Sequence, residues 1–312
     1  MKKPTVLQIG SMTDRFNQRM AETWKAHPLW TEADPAAFLA ENGAKFDVVA
    51  TSARYGCREA QMKLLPNLAA ICSFGVGYDA IDVDVAKGRS IQVSNTPNVL
   101  NDCVADLAMG LIIDVARRMS QTDRFVREGK WLSGAPPLGT QVFRKKLGIV
   151  GLGRIGRAVV QRASGFEMQI GYSDPIRDHR VHYHYEPTAE GLAEWADFLV
   201  LTCIGGPATK GLVSRRVLEA LGPTGYLINV SRGSVVDEPA LVEAVTKGTI
   251  AGAALDVYAS EPNVPAELIA SPNVVVLPHI ASGTAETRLA MEELVFQNLA
   301  AFAETGEVIN RV

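Results

Sequence analysis

The stretch from Lys146 to Asp174 (KLGIVGLGRIGRAVVQRASGFEMQIGYSD) constrains this chain more than any other. Leu147 to Val150 is a short apolar run with β-branched members, the pattern of a buried strand. Gly151, Gly153 and Gly156 follow in G-x-G-x-x-G spacing, and a helical pattern runs from Ile155 to Ala163. A second apolar segment, Met168 to Tyr172, leads to Asp174. Strand, glycine turn, helix, strand and terminal acid are the parts of a dinucleotide site. Gly151 makes the tight turn, Gly153 lets backbone approach a pyrophosphate, and Gly156 lets helix pack on strand. Arg154 and Ile155 lie where the helix opens, and its free N–H groups and positive dipole end favour phosphate. Asp174 would accept hydrogen bonds from a ribose diol. Protein kinases use similar glycine spacing, but the chain has no H-R-D or D-F-G to accompany it.

The rest of the chain alternates strand-like and helix-like segments. Ahead of the glycines, strands are expected at Thr5–Ile9, Val48–Ser52, Leu68–Phe74 and Ile91–Val93. Helices fall between them, one opened by Asp34-Pro35 and stopped at Gly43. After Asp174 come strands at Phe198–Thr202, Tyr226–Val230, Ile250–Val257 and Val274–Leu277. Such alternation means α/β architecture with doubly wound parallel sheets. Thr96-Pro97-Asn98 marks a boundary, and Val104, Leu107, Ala108, Leu111, Ile112 and Val115 then form one face of a long helix capped by Asn101 or Asp102. A last helix from about Thr284 sets Met291, Leu294, Val295, Leu299 and Phe302 on one face, fit to return to the first domain. The expected division is therefore residues 1–99 with 285–312, a discontinuous substrate domain, and 100–284, a dinucleotide-binding domain of Rossmann type. At 312 residues, 47% hydrophobic and 21% charged, the chain can build both cores. A net charge of −3 with both signs interspersed gives no footprint for nucleic acid. No apolar run approaches a membrane span, and four dispersed cysteines without C-x-x-C fit a reducing cytoplasm.

Ligands of open parallel sheets bind beyond the carboxyl ends of the strands. Arg232, Glu261 and His279 each follow a predicted strand there. Their types suit the reduction of a 2-keto acid. Arginine offers a carboxylate a bidentate fork, histidine gives or takes a proton near neutrality, and a glutamate would orient the imidazole.

Five motifs carry a family resemblance: Ser73–Asp79 (SFGVGYD), the glycine turn, Asn229–Asp237 (NVSRGSVVD), Leu255–Pro262 (LDVYASEP) and Leu277–Ser282 (LPHIAS). The chain resembles the D-isomer-specific 2-hydroxyacid dehydrogenases, within them the glyoxylate/hydroxypyruvate reductase branch. The resemblance implies that Arg232 orients substrate, His279 is the acid/base and Glu261 its partner. It implies that the amides of Val76 and Gly77 hold the substrate carboxylate and that Asp256 contacts the nicotinamide carboxamide. It also implies a homodimer, with the long helix and an arm around Trp131 reaching the partner. Transcriptional corepressors share this fold, so a dinucleotide-sensing binding protein is the alternative function.

Asp174 favours NAD(H), since its charge repels a 2′-phosphate. Related reductases often place a small residue and then arginine here, and Arg177 and Arg180 keep NADP(H) as the alternative. His179, His182 and His184 form H-x-x-H-x-H, but nothing nearby supplies the outer ligand partners of a metal site, so no metal is expected. The cysteines, Trp24, Trp30 and Trp195 read as packing; Trp131, between Gly129 and a proline loop, reads as core, or as active-site rim or dimer arm.

Overall fold

Strand and helix alternate along almost the whole chain, and every strand pair formed is parallel. The computed structural model describes residues 3–312. Two units divide them: the chain up to Leu100 together with Ala285–Val312, and Asn101–Thr284.

In the first unit the strands are β1 (Val6–Gln8), β2 (His27–Pro28), β3 (Val48–Ser52), β4 (Ala70–Phe74) and β5 (Gln92–Ser94). Their order, β2-β1-β3-β4-β5, is the flavodoxin-like winding. β3 and β4 are buried throughout, as parallel strands covered on both faces must be. Local chemistry starts the helices. The Thr13 hydroxyl accepts the Phe16 N–H ahead of helix Asp14–Trp24, and Asp34 accepts from Ala36 and Ala37 at 3.0 Å with Pro35 as the first helical residue. Gly43 does end that helix, but not by a left-handed turn. Its φ is −57°, a 3-10 turn continues from it, and a Cβ there would lie 1.8 Å from the Leu64 carbonyl oxygen. Close approach, not backbone freedom, requires the glycine.

The closing helix, Ala285–Thr305, belongs to this unit and packs on β4. Phe16 meets Phe74 and Phe296 edge to face at 5.3 and 5.7 Å. Leu294 and Phe302 are only half-buried, contrary to the expected stripe. Glu292 and Asn298 are buried in their place. Glu292 accepts from Arg15 and Arg19, and Asn298 accepts the N–H groups of Ile309 and Asn310. Polar partners on neighbouring segments decided that face.

The second unit holds β6 (Lys146–Val150), β7 (Gln169–Ser173), β8 (His184–Tyr185), β9 (Phe198–Leu201), β10 (Tyr226–Asn229), β11 (Gly252–Leu255) and β12 (Val274–Val276). The order is β12-β11-β10-β9-β6-β7-β8. The chain winds outward from β6 through β7 to β8, then crosses to β9 on the other side. That puts the topological switch point between β6 and β9. Helix Asn101–Arg117 buries Val104, Ala108, Leu111, Ile112 and Val115 as expected, while Leu107 of the same face is only half-buried. Asn101 and Asp102 do not cap it from outside; the helix already begins at Asn101, and Asp102 pairs with Arg162 at 3.1 Å. Helix Met119–Arg127 was not legible in the sequence. Arg118, at φ +57°, breaks it from its predecessor, and none of its residues is buried. Trp30 and Trp131 are exposed, at 39% and 66%, so neither is core.

The glycine turn joins β6 to helix Arg154–Ala163. Gly151 has φ +96°, and a Cβ there would lie 2.6 Å from the Cys203 Cα. A Cβ on Gly156 would stand 2.3 Å from the Gly151 carbonyl oxygen, whereas one on Gly153 would meet nothing within 4 Å. Gly156→Ala is therefore expected to cost about 2 kcal/mol or more, as backbone must move. Gly153→Ala should stay within about 0.5 kcal/mol of the parent. Urea unfolding of the two variants checks the contrast.

Candidate active site

Three adjacent strands, β10, β11 and β12, end side by side, and each carboxyl end leads into a segment bearing one of the expected reactive residues. After β10 the Asn229 carboxamide accepts the Ser231 N–H and donates to the Arg232 carbonyl, both at 3.0 Å, which folds the turn. The Ser231 hydroxyl donates to the Cys203 carbonyl at 2.6 Å and ties that turn to the end of β9. Gly205 gives Arg232 its place: a Cβ there would lie 2.5 Å from the Arg232 Cγ. Gly233 is required as well, because a Cβ would fall 1.9 Å from the Tyr258 carbonyl carbon. Gly205 was not singled out from the sequence, since it acts on Arg232, a neighbour that only folding brings near; Asn229 opens the NVSRGSVVD motif and acts two and three residues along the chain.

His279 follows β12, and its Nδ1 lies 2.8 Å from Glu261 Oε2, while the Tyr258 N–H donates to Glu261 Oε1 at 3.2 Å. Burial pushes the Glu261 carboxyl up, but the hydrogen bond and charge of His279, the Tyr258 N–H and the charge of Arg232 outweigh it. Glu261 therefore lies below its usual range and is ionised at neutrality. A carboxylate only accepts, so Nδ1 carries the hydrogen and Nε2 is the ring nitrogen left for other work. Arg232, Glu261 and His279 all belong to the second unit, and the Arg232 charge is among the groups that lower the Glu261 carboxyl.

The other end of the same sheet meets the requirements of a dinucleotide. Helix Arg154–Ala163 has Gly153 at its N-cap with no side-chain bond there, so its first N–H groups are uncapped. Open space around the Gly153 Cβ position leaves room for a ligand to reach that backbone. Arg154 is exposed and Ile155 half-buried. Asp174, at the end of β7, accepts the Leu152 N–H at 2.6 Å and so stands at the glycine turn. These residues fit a nucleotide cofactor: helix start for phosphate, carboxylate for a ribose.

Comparison with known proteins agrees. A family model described as D-isomer specific 2-hydroxyacid dehydrogenase, NAD binding domain, matches residues 109–281. The chain belongs to that family. It is 42% identical over 301 residues to glyoxylate/hydroxypyruvate reductase A of Arabidopsis thaliana, covering 96% of each chain. It is 41% identical over 296 residues to hydroxyphenylpyruvate reductase of Plectranthus scutellarioides, covering 95% of each. Among solved structures, the NADPH-dependent glyoxylate/hydroxypyruvate reductase of Sinorhizobium meliloti, in complex with NADP and malonate, superposes with a TM-score of 0.93 at 41% identity. That match covers 100% of this chain and 97% of the other.

For a dehydrogenase of this family the remaining residues fall as follows. Val76 and Gly77 follow β4 in the first unit; Asn95 donates to the Val76 carbonyl at 2.8 Å, and no described residue accepts from either amide. His184 stacks on Trp195 with centroids 4.7 Å apart and bonds Glu186, while His179 and His182 are exposed. Cys57 and Cys72 are buried, which pushes both thiols up to about 12, whereas Cys103 and Cys203 are only half-buried. No helix among the described residues is long and apolar enough to cross a membrane.

Asp256 is the residue that the resemblance puts in contact with a nicotinamide carboxamide. It is fully buried, and its two oxygens accept the N–H groups of Ile280 at 2.7 Å and Ala281 at 2.8 Å. Those two bonds make it a brace under the His279 segment. Burial raises its pKa against the opposing pull of those two N–H groups and the His279 charge. His279 itself has φ +56°, a left-handed conformation that costs a non-glycine residue about 1–2 kcal/mol. The bonds to Asp256 hold the next two residues and so keep it there. Asp256→Ala should lose about 2 kcal/mol of stability, because two buried N–H groups lose their acceptor. Chemical denaturation of the variant against the parent measures it.

Proposed function

We propose that this chain reduces a small 2-keto acid, such as glyoxylate or hydroxypyruvate, to the D-2-hydroxy acid with NAD(H), His279 giving the proton. The observation that carries the reading is the 2.8 Å pairing of His279 with Glu261 at the carboxyl ends of adjacent parallel strands. The activities named for the relatives at 41–42% identity support the substrate class.

A reduced nicotinamide dinucleotide whose pyrophosphate sits at the glycine turn would supply a hydride, one hydrogen with two electrons, to the carbonyl carbon. This chain's residues do the rest. Gly151, Gly153, Arg154, Ile155 and Gly156 present the turn and helix start to the pyrophosphate, and Asp174 takes the ribose diol. Arg232 lays its fork against the substrate carboxylate and polarises the carbonyl. Glu261 holds Nδ1–H, so Nε2 of the imidazolium donates to the developing alkoxide oxygen. Because the folded Glu261 pKa is lowered, the stability its pairing contributes is complete above the ordinary value of 4.5. It is lost only as pH falls through the lower folded value.

His279→Ala should lower kcat about a thousandfold with any accepted 2-keto acid. The Kd for NADH should meanwhile stay within about threefold of the parent. Stopped-flow turnover and fluorescence titration read the two quantities separately. Loss of dinucleotide binding together with turnover, or intact turnover, would sink the assignment. Absence of turnover in the parent across a panel of 2-keto acids, with dinucleotide binding intact, would instead favour a cofactor-sensing binding protein.

NAD(H) is the preferred partner on the strength of Asp174, whose carboxylate repels a 2′-phosphate. Asp174→Ala should raise the ratio of kcat/KM with NADPH to that with NADH about tenfold. An unmoved ratio would remove Asp174 as the discriminator.

A homodimer completes the proposal. Trp131, Leu132 and Leu138, exposed at 66%, 94% and 97%, give the arm after helix Met119–Arg127 an apolar surface that a second copy would cover. Sedimentation of the parent as a dimer, and of Leu138→Glu as a monomer, is the expected result.

A further inference from the structure

The loop after β7 carries a second acid whose partners are all arginines. Asp178, with 14% of its side chain exposed, stands between two guanidiniums. Arg180 approaches as a fork, Nε 2.9 Å from Oδ1 and Nη2 2.9 Å from Oδ2, and its backbone N–H adds a third bond at 2.9 Å. From helix Arg154–Ala163, Arg157 Nη2 reaches Oδ2 at 2.5 Å. The bonds from Arg180, and then that from Arg157, hold the Asp178 carboxyl far below the usual carboxylate range. The loop is pinned beneath this cluster: the Asp178 N–H donates to the Tyr172 hydroxyl at 2.8 Å, and the Tyr185 hydroxyl donates to the Asp174 carbonyl at 3.2 Å. Arg157 lies one turn into the helix that starts at the glycine turn, and Asp174 is bonded to that turn through Leu152. The charged cluster therefore adjoins the ribose end of the proposed cofactor site.

We propose that Asp178 is a specificity-determining residue: by pairing with Arg157 and Arg180 it withholds both guanidiniums from a ribose 2′-phosphate and so reinforces selection of the dinucleotide with a free 2′-hydroxyl. The inference rests on the reading of the glycine turn as a dinucleotide site. Asp174 alone repels a phosphate, but arginines so close by would offset that repulsion if their forks were open. With Asp178 present, a 2′-phosphate must displace a carboxylate that already fills the Arg180 fork and must leave that acid unpaired beside it. With both arginines exposed, these ion pairs contribute little to stability. Their weight here lies in discriminating between two ligands that differ by one phosphate.

Calorimetric titration of the full chain with NAD+ and with NADP+ tests this without reference to turnover. Asp178→Asn should tighten NADP+ relative to NAD+ about tenfold, the worth of one charge-assisted contact. Adding Arg157→Ala and Arg180→Ala to that variant should cancel the gain. In the unsubstituted protein Arg157→Ala, a change on an exposed helix face, should leave both Kd values within about twofold. That arm keeps the proposal testable even where Asp178→Asn fails to fold. An unmoved NADP+/NAD+ ratio in Asp178→Asn, or a gain that survives removal of both arginines, overturns the role of Asp178. So does selective loss of NADP+ affinity in Arg157→Ala alone. Failure of the unsubstituted protein to bind NAD+ at all overturns the dinucleotide reading itself, and with it this inference.

Discussion

The Asp256 carboxylate, buried at the end of β11 and accepting two successive backbone N–H groups after His279, is the interaction on which the candidate site depends. Burying a carboxylate is costly, and the raised pKa of Asp256 registers that cost. The return is positional. A left-handed histidine at the end of a strand has no local reason to stay there. With Ile280 and Ala281 held to β11, the imidazole is placed against Glu261, and Glu261 is placed by Tyr258, whose hydroxyl donates to the carbonyls of Leu255 and Leu277. Acid, base and guanidinium thus stand on three strand ends cross-linked below them.

A second set of constraints operates at β6 and β7. Gly156 must lack a side chain because the Gly151 carbonyl lies against it, and that packing aims the helix start at the place where Asp174 meets the Leu152 amide. The parallel order of the sheet puts both sets of residues at carboxyl ends, on either side of the switch point between β6 and β9. The candidate reactive residues and the glycine turn therefore draw on one sheet, with the spacing between them set by strand order. The arginine pairs of Asp178 adjoin this second set, and it is there that we propose a choice between dinucleotides.

Features that depend on near neighbours in the chain were readable before folding. The Asp34-Pro35 start, the glycine turn, the alternation that makes parallel sheets and the buried stripe of helix Asn101–Arg117 all follow from residues within a few positions of one another. Short or exposed elements were not. Helix Met119–Arg127 buries nothing, and β2 and β8 have two residues each, so none of them leaves a periodic apolar trace. Leu294 and Phe302 were misjudged because periodicity reports which residues share a face, not what stands opposite.

The sequence by itself determined which groups were available: an arginine, a glutamate and a histidine, each after a strand, and glycines where a pyrophosphate would come. It did so because motif spacing along a strand–turn–helix unit is local geometry. Only the tertiary structure decided that Gly205 would seat Arg232, that Asp256 would turn inward as a brace, and that Asp178 would occupy two arginines. Those outcomes join segments tens of residues apart or depend on the packing around them. Hydrogen bonding and close contact at such range are set when the strands take their places in the sheet, and no pattern along the chain encodes the distance.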